Sequence, residues 1–259
     1  MGDTLLESIE ANSGIRAWWP AAEPSPRWVR VLLGDITIAE SRSPQLLLQY
    51  GPPPFFPMYY FTPDEILSSV LVNSEERPDG STVWAVQVDE KRIESGAWTH
   101  PDPTGPLNSL ADRVTFGFWD GLAWYEEAER MFAHARDPHK RVDVIPSTRH
   151  VEVFIDGTKL ASSTTPMVLF ETMMPTRFYL PPEDVRLDLL TASETVSACP
   201  YKGVSRHWSY ESHADIAWSY SDPVPENPRI KDLVCFYNEA VDLVVDGELL
   251  PRPETLWSK

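Results

Sequence analysis

The sequence is poor in cysteine, glycine and basic residues. Its two cysteines, Cys199 and Cys235, are too few to form a closed four-ligand zinc site on their own. Only 12 glycines stand beside 25 prolines, a ratio that favours edge strands and irregular turns over long helices. With 22 Lys and Arg against 39 Asp and Glu, the formal charge is −17, which disfavours nucleic acid and anionic lipid as partners. We therefore predict a mostly β protein that binds neither.

Long apolar runs are missing as well. No stretch approaches the length of a membrane span, and the first residues carry no basic segment followed by an apolar one. A cytoplasmic protein with reduced cysteines is therefore expected, and no membrane partner. The sequence also has no glycine-rich nucleotide loop and no nucleophile-elbow motif, so we predict no cofactor and no metal ion.

An internal duplication organises what is present. The run Val29–Ser41 returns as Val151–Ser163, and each run contains a glycine turn that predicts a β-hairpin. Further matches continue at a nearly constant offset: Tyr60 with Tyr179, Trp98 with Trp218, and Phe116 with Phe236. Such regular spacing indicates two copies of one domain.

This duplication predicts four segments. They are an N-terminal arm (1–27), a first β repeat (28–118), an inserted helix and linker with the closing strand of repeat one (119–147), and a second β repeat (148–259). We expect Trp18 and Trp19 to anchor the arm. The helix is predicted from Asp120 as a candidate N-cap and from an apolar stripe at helical spacing: Leu122, Tyr125, Ala128 and Phe132.

Polar residues concentrate in the second repeat. Glu171 and Arg177 stand at the ends of two predicted strands, where pairing would bring a carboxylate and a guanidinium face to face. Such a pair suits the binding of a carboxylate or carbonyl group. The alternative is a salt bridge that only closes a loop.

The segment Cys199–Gly203 forms a second group. Cys199 precedes a proline and is held extended, so Tyr201 and Lys202 should project from a fixed loop. A thiol beside an ammonium group can act as a nucleophile, whereas a free buried cysteine is usually a small apolar side chain.

His207 completes the polar set. Strand alternation places it on the face opposite Trp208, where it is a natural general base if a pocket exists and a structural histidine otherwise. The first repeat has Gln49 opposite Glu171 and no arginine opposite Arg177. This divergence indicates that the second repeat carries a site which the first supports.

These motifs resemble a known family. Glu171–Tyr179, Cys199–Gly203, Ala217–Tyr220 and Phe236–Glu239 together are similar to the domain of unknown function 427 in its tandem form. The resemblance implies compact antiparallel β domains akin to the β-tent or Mss4-like group, here without the zinc-binding cysteines. It also carries the label of nucleotidyltransferase, which no phosphate-binding glycine loop and no metal-binding pair of aspartates supports.

For function we expect a cofactor-independent enzyme that performs acid/base chemistry, such as isomerase, dehydratase, lyase or cyclase chemistry, on a small organic molecule, in specialised metabolism. The residues assigned to proton transfer are His207, Glu171 and Tyr179, and those assigned to substrate binding are Arg177, Lys202, Tyr201, Cys199 and Trp218. The alternatives are a non-catalytic small-molecule-binding module and a nucleotidyltransferase. A homodimer is also expected.

Overall fold

The fold is taken from a computed structural model that describes residues 20–49, 56–118 and 121–255. The chain divides between Asp137 and Pro138 into two compact units. The expected anchoring role of Trp18 and Trp19, and the N-cap at Asp120, lie outside the described residues. No helix in the described part is long and apolar enough to cross a membrane.

The described part of the first unit contains eleven strands in three antiparallel sheets. The strands are β1 (Ala21–Pro24), β2 (Val29–Leu33), β3 (Ile36–Ser41), β4 (Gln45–Leu48), β5 (Met58–Tyr60), β6 (Leu71–Glu76), β7 (Thr82–Val88), β8 (Lys91–Thr99), β9 (Val114–Phe116), β10 (Leu122–Glu126) and β11 (Glu129–Met131). Their orders are β1-β4-β5, β6-β7-β8-β9 and β11-β10-β2-β3. A bridge between Phe61 and Val114 links the first two sheets.

The second unit repeats this arrangement with eleven further strands. They are β12 (Val142–Pro146), β13 (Val151–Ile155), β14 (Thr158–Ser163), β15 (Met167–Glu171), β16 (Arg177–Leu180), β17 (Thr191–Cys199), β18 (Gly203–Tyr210), β19 (His213–Ser219), β20 (Val234–Phe236), β21 (Asp242–Val245) and β22 (Glu248–Leu249). Here the seven strands β12-β15-β16-β20-β19-β18-β17 form one continuous antiparallel sheet, and β14-β13-β21-β22 form a smaller one.

Short 3₁₀ helices connect the strands in both units. They span Pro63–Glu65, Gly105–Leu110, Pro182–Asp184, Leu187–Leu189 and Pro228–Ile230. Each begins with a proline at its first or second position, apart from Leu187–Leu189. Proline suits the first turn because its missing N–H has no partner to lose there.

Period-2 alternation assigns the two faces of the large sheet in the second unit. Phe178, Ala217 and Phe236 point to the smaller sheet and build the main core with Val151 and Val153. Their chain neighbours point the other way and form a second apolar cluster that includes Leu169, Tyr179, Trp218 and Cys235. The candidate site lies on this second face.

The prediction of a mostly β chain of two tandem antiparallel domains is confirmed, and both predicted hairpins occur, as β2–β3 and β13–β14. The prediction of an inserted helix is wrong. Leu122 and Tyr125 of the stripe lie in strand β10, Ala128 lies in the turn after it and Phe132 follows β11; β10 pairs with β2 and places Leu122 and Trp124 in the core by alternation. Leu122 and Tyr125 have a helical spacing and Leu122 and Trp124 a strand spacing, so over so short a run the pairing with an open strand edge decides between the two structures.

Two further boundaries are corrected by strand pairing. The segment 119–147 is predicted to contain the closing strand of repeat one, but β12, which lies within it, pairs with β15 and so opens repeat two. It corresponds to β1, which pairs with β4 in the same way, so residues 21–24 belong to repeat one and not to an arm. The closing strand of repeat one is β10, the counterpart of β21, because each pairs with the first hairpin of its unit.

Candidate functional site

One row of side chains crosses the large sheet of the second unit. Tyr179 lies opposite Cys235, Cys235 opposite Trp218, and Trp218 opposite His207, on strands β16, β20, β19 and β18. Residues opposite each other share a face of a sheet, so all four point the same way. We call this surface and its surroundings the polar face: Glu171, Arg177, Tyr179, Ser197, Lys202, Ser205, His207, Trp218, Cys235, Tyr237 and Glu239.

Arg177 makes a bidentate ion pair with Glu239. Its two terminal nitrogens donate to the carboxylate oxygens at 2.7 and 2.8 Å, and both side chains are buried. The guanidinium also lies over the rings of Trp218 and Tyr237, at 5.5 and 5.8 Å from their centroids. Burial would lower the pKa of Arg177, but the pairing raises it, so the charge is held.

The expected pairing of Glu171 with Arg177 is wrong. The register sets Leu169, and not Glu171, opposite Arg177, so Glu171 lies two positions beyond the point where β16 begins. Glu171 instead accepts hydrogen bonds from Lys202 at 2.5 Å and Lys140 at 3.0 Å, with all three side chains largely buried. Burial would raise the pKa of Glu171, but the two ammonium groups lower it below its ordinary value.

The turn Cys199–Gly203 joins β17 to β18 and directs Lys202 inward. Gly203 has φ +118°, and a Cβ there would meet the Asp222 carbonyl oxygen at 3.0 Å, so only glycine fits. The Tyr201 carbonyl accepts from Asn227 Nδ2 at 2.7 Å, and the Tyr201 ring lies 5.5 Å from the Lys140 ammonium. Cys199 is a free, half-buried cysteine at the end of β17.

Tyr179, Trp218 and Cys235 form the floor of the polar face. Trp218 Nε1 donates to the Tyr179 hydroxyl at 3.1 Å, with the two rings perpendicular. Burial raises the pKa of Tyr179 well above its ordinary range and that of the Cys235 thiol to about 12. Neither group therefore ionises near neutral pH, and Cys235 has no thiolate character.

The hydrogen-bonding partners of the His207 side chain are neutral hydroxyl groups. Its Nε2 hydrogen-bonds Ser197 Oγ at 2.9 Å and lies 3.3 Å from Ser205 Oγ, and those hydroxyls are 2.7 Å apart. Its Nδ1 is buried and has no hydrogen-bond partner among the described residues. The ring stacks beside Tyr237.

The surroundings of His207 favour its neutral form. Burial lowers the pKa of His207 below its ordinary value, and the nearby carboxylate of Asp215 opposes that shift. The imidazole is only 3% exposed, whereas Ser197 lies on the exposed edge strand β17. The Ser197 hydroxyl therefore connects a buried base to the protein surface.

The geometry thus separates the predicted residues into two groups. Glu171, Arg177 and Lys202 are held in buried ion pairs and stabilise the polar face, with Tyr179 and Trp218 below them. His207 and its two serines form a neutral hydrogen-bonded group suited to proton transfer.

Sequence reasoning missed several residues in or beside the polar face: Lys140, Ser197, Ser205, Asp215, Tyr237 and Glu239. Ser205 stands two residues before His207, a spacing that puts both on one strand face and could have indicated it. Glu239 closes the motif Phe236–Glu239, but its distance along the chain from Arg177 gave no sign of pairing.

The described residues of the polar face do not provide a set of donors for a metal ion. Within residues 20–49, 56–118 and 121–255, no group of three or more His, Cys, Asp and Glu side chains is placed to hold an ion. The paired carboxylates of the polar face are each already neutralised by arginine or lysine.

Fold and polar face together define a tandem all-β protein in which one domain carries a buried charged and aromatic surface. The profile of a family described as Domain of unknown function (DUF427) matches residues 21–127 and 143–247, and the chain belongs to this family. The two matched segments begin at β1 and β12, the strands that open each repeat. A comparison with curated proteins found no match.

Proposed function

We propose that the protein is a cofactor-independent enzyme that performs acid/base chemistry on a small organic molecule at the polar face of repeat two. The observation that carries the proposal is the neutral, buried His207, whose Nε2 is within 2.9 Å of the hydroxyl of exposed Ser197. A neutral imidazole that is shielded from water and bonded to a hydroxyl suits proton abstraction.

In this proposal the proton travels through a hydroxyl group. Ser197 gives its proton to Nε2 of His207 as it takes one from the substrate, so the imidazole need not reach the surface itself. The developing imidazolium is stabilised by the nearby Asp215 carboxylate, which already favours the charged form.

The charged residues take a different role from the one expected from sequence. Arg177 and Lys202 were expected to orient an anionic group, but their hydrogen-bonding capacity is directed at Glu239 and Glu171. We assign them, with Glu171, to holding strands β15, β16 and the turn after β17 in register. Cys199 and Tyr201 belong to that turn, and Tyr179 and Trp218 form the floor beneath the site.

The test is a comparison of metabolite turnover by the full chain and by His207→Gln. Each protein is incubated with a fractionated metabolite extract, and mass spectrometry records which compounds are consumed or formed. We expect at least one compound to change with the wild-type chain and to change about 100-fold more slowly with the variant. Turnover that is equal in both proteins would contradict the role of His207.

A non-catalytic ligand-binding module is the second candidate. Complete pairing of Arg177 and Lys202 favours it, because a rigid, neutralised surface suits recognition more than turnover. It predicts that the same extract yields a compound retained by the protein without chemical change. Nucleotidyl transfer is the third candidate, and a calorimetric titration with a nucleoside triphosphate and magnesium would give no heat if it is wrong.

Three accompanying expectations stay predictions. They are a cytoplasmic location, a role in specialised metabolism and a homodimer, and the last is read directly by sedimentation equilibrium of the purified chain.

A further inference from the structure

Ser197 combines exposure with direct contact to a base. It lies on β17, the last strand of the seven-stranded sheet, and is itself an exposed residue. Its hydroxyl nevertheless points inward, 2.9 Å from His207 Nε2 and 2.7 Å from Ser205 Oγ. A serine hydroxyl within hydrogen-bonding reach of an imidazole is the arrangement that activates oxygen nucleophiles.

A carboxylate acts electrostatically on the base. Asp215 lies in β19, next to β18, and attracts a positive charge on the His207 ring. It is fixed by the Ser209 hydroxyl, which accepts from the Asp215 backbone N–H at 3.0 Å, and its carboxylate accepts from Thr195 Oγ1 at 2.9 Å. His207 Nδ1 has no hydrogen-bond partner among the described residues, so Asp215 acts on the base through its charge alone, and the pair that the geometry defines is Ser197 with His207.

Repeat one supplies an internal comparison for this group. Val83 occupies the position of His207, because Val83 lies opposite Trp98 as His207 lies opposite Trp218. Ser95 stands where Asp215 does, two residues before the matched alanines Ala97 and Ala217, and both have positive φ. The serine of repeat one that corresponds to Ser205 is Ser81, which bonds Asp79 instead of an imidazole.

From this geometry we infer that Ser197 is a nucleophile for acyl transfer and that the substrates of the polar face are carboxylic esters. The inference rests on the proposed role of His207 and deepens it. Ser197 Oγ attacks the ester carbonyl carbon while His207 Nε2 takes the hydroxyl proton. The C–O bond to the alcohol breaks, and His207 returns the proton to the departing alkoxide. Water then attacks the acyl-serine in the same manner and releases the acid.

The edge position of β17 also fits the second requirement of acyl transfer. An edge strand presents backbone N–H groups that no neighbouring strand takes up. Such donors can stabilise the negative charge that develops on the carbonyl oxygen.

Covalent labelling tests the inference without knowledge of the natural ester. The full-length chain is incubated with an alkyl fluorophosphonate, and peptide mass spectrometry locates the adduct. We expect one adduct, on Ser197, lost in Ser197→Ala and formed about 100-fold more slowly in His207→Gln. Ser81→Ala, which removes the repeat-one counterpart of Ser205, should be labelled at the wild-type rate. Thermal melting of each variant checks that it is folded.

A second measurement uses 4-nitrophenyl acetate. A nucleophilic serine predicts a burst of nitrophenolate equal to one per chain, absent from Ser197→Ala. An adduct on Ser205 in place of Ser197, or no adduct at all, overturns the inference.

The outcomes separate this inference from the proposed function. Metabolite turnover that depends on His207 without labelling of Ser197 supports acid/base chemistry and contradicts the role of Ser197 as a nucleophile. Labelling of Ser197 at equal rates in wild type and His207→Gln contradicts the role of His207 as its base. Absence of both signals overturns both.

Discussion

The two repeats place different chemistry on the same scaffold. Met58 takes the position of Arg177, because Met58 lies opposite Leu47 as Arg177 lies opposite Leu169. By the same pairing logic, repeat one has Gln49 for Glu171, Val83 for His207 and Thr115 for Cys235. Tyr60 and Trp98 are kept as counterparts of Tyr179 and Trp218. The fold therefore needs the aromatic floor and does not need the ion pairs.

The two repeats also differ in the residues that pack on the sheet face carrying this aromatic row. In repeat one, Leu107 and Leu110 of the 3₁₀ helix Gly105–Leu110 pack on it and join an apolar cluster with Tyr60 and Met58. In repeat two, the shorter helix Pro228–Ile230 contributes Ile230, and the preceding Asn227 binds the Tyr201 carbonyl instead. Repeat one has an apolar interior where repeat two has a charged one, so the charges of repeat two are costly features that folding alone does not explain.

Arg177→Met tests this comparison most severely, since it installs the residue of repeat one. The substitution leaves the Glu239 carboxylate buried without its guanidinium, and removing one member of a buried pair typically costs about 3–5 kcal/mol. We expect that loss in the free energy of unfolding of the second unit, measured by urea denaturation followed by far-UV circular dichroism.

The matched control is the double variant Arg177→Met/Glu239→Leu. With both charges gone, no ion is left buried, and most of the lost stability should return. A loss below about 1 kcal/mol in the single variant would show that the pair is hydrated and that the two faces are less different than their contacts indicate.

Glu171→Gln, again the residue of repeat one, is expected to have the next largest effect. It leaves two buried ammonium groups facing a neutral amide, and loss of charge-assisted hydrogen bonds costs about 2–3 kcal/mol. The effect depends on pH. The unfolded carboxyl has a pKa of about 4.3, and Lys202 and Lys140 hold the folded pKa lower against the opposing effect of burial. Its contribution is thus complete above about pH 4.3 and is lost as pH falls through the folded pKa.

Urea denaturation of wild type and Glu171→Gln at several pH values between 3 and 7 measures this dependence. The difference in stability should be greatest near neutrality and shrink toward pH 3. Glu152→Gln, which breaks the more exposed pair with Lys159, serves as the control and should change stability far less at every pH. A difference that is constant with pH would contradict the buried charge on Glu171.

The sequence alone predicted the duplication and the hairpins because both depend on local, repeated signals. Val29–Ser41 and Val151–Ser163 carry the same alternation and turn, and that information lies within thirteen residues. The helix prediction failed because Leu122–Glu126 fits a helical stripe in isolation and becomes a strand only through pairing with β2.

The sequence predicted several residues of the candidate site but not the residues with which they pair. Glu171, Arg177, Lys202 and His207 do share one face, but their partners Glu239, Lys140 and Ser197 depend on strand register and on contacts between distant parts of the chain. A one-residue change of register would reverse every side chain, and no local pattern fixes which arginine meets which carboxylate.

Removing a hydroxyl from repeat one, or adding one at the matching position of repeat two, should have the smallest effect on stability. It compares the two repeats at a single position. Thr115 has a buried Oγ1 with no hydrogen-bond partner among the described residues, whereas Cys235 at the matching position presents a thiol. Thr115→Val removes the unsatisfied hydroxyl at nearly constant shape and should raise stability by about 1 kcal/mol. Cys235→Thr places a hydroxyl into the buried row beside Tyr179 and Trp218 and should lower stability by about 1–2 kcal/mol. Thermal melting of both variants measures the two shifts. If the two stability changes have opposite signs, the row of aromatic residues is apolar in both repeats and the repeats differ only above it. A gain of stability from Cys235→Thr would instead mean that the polar face extends down to that row.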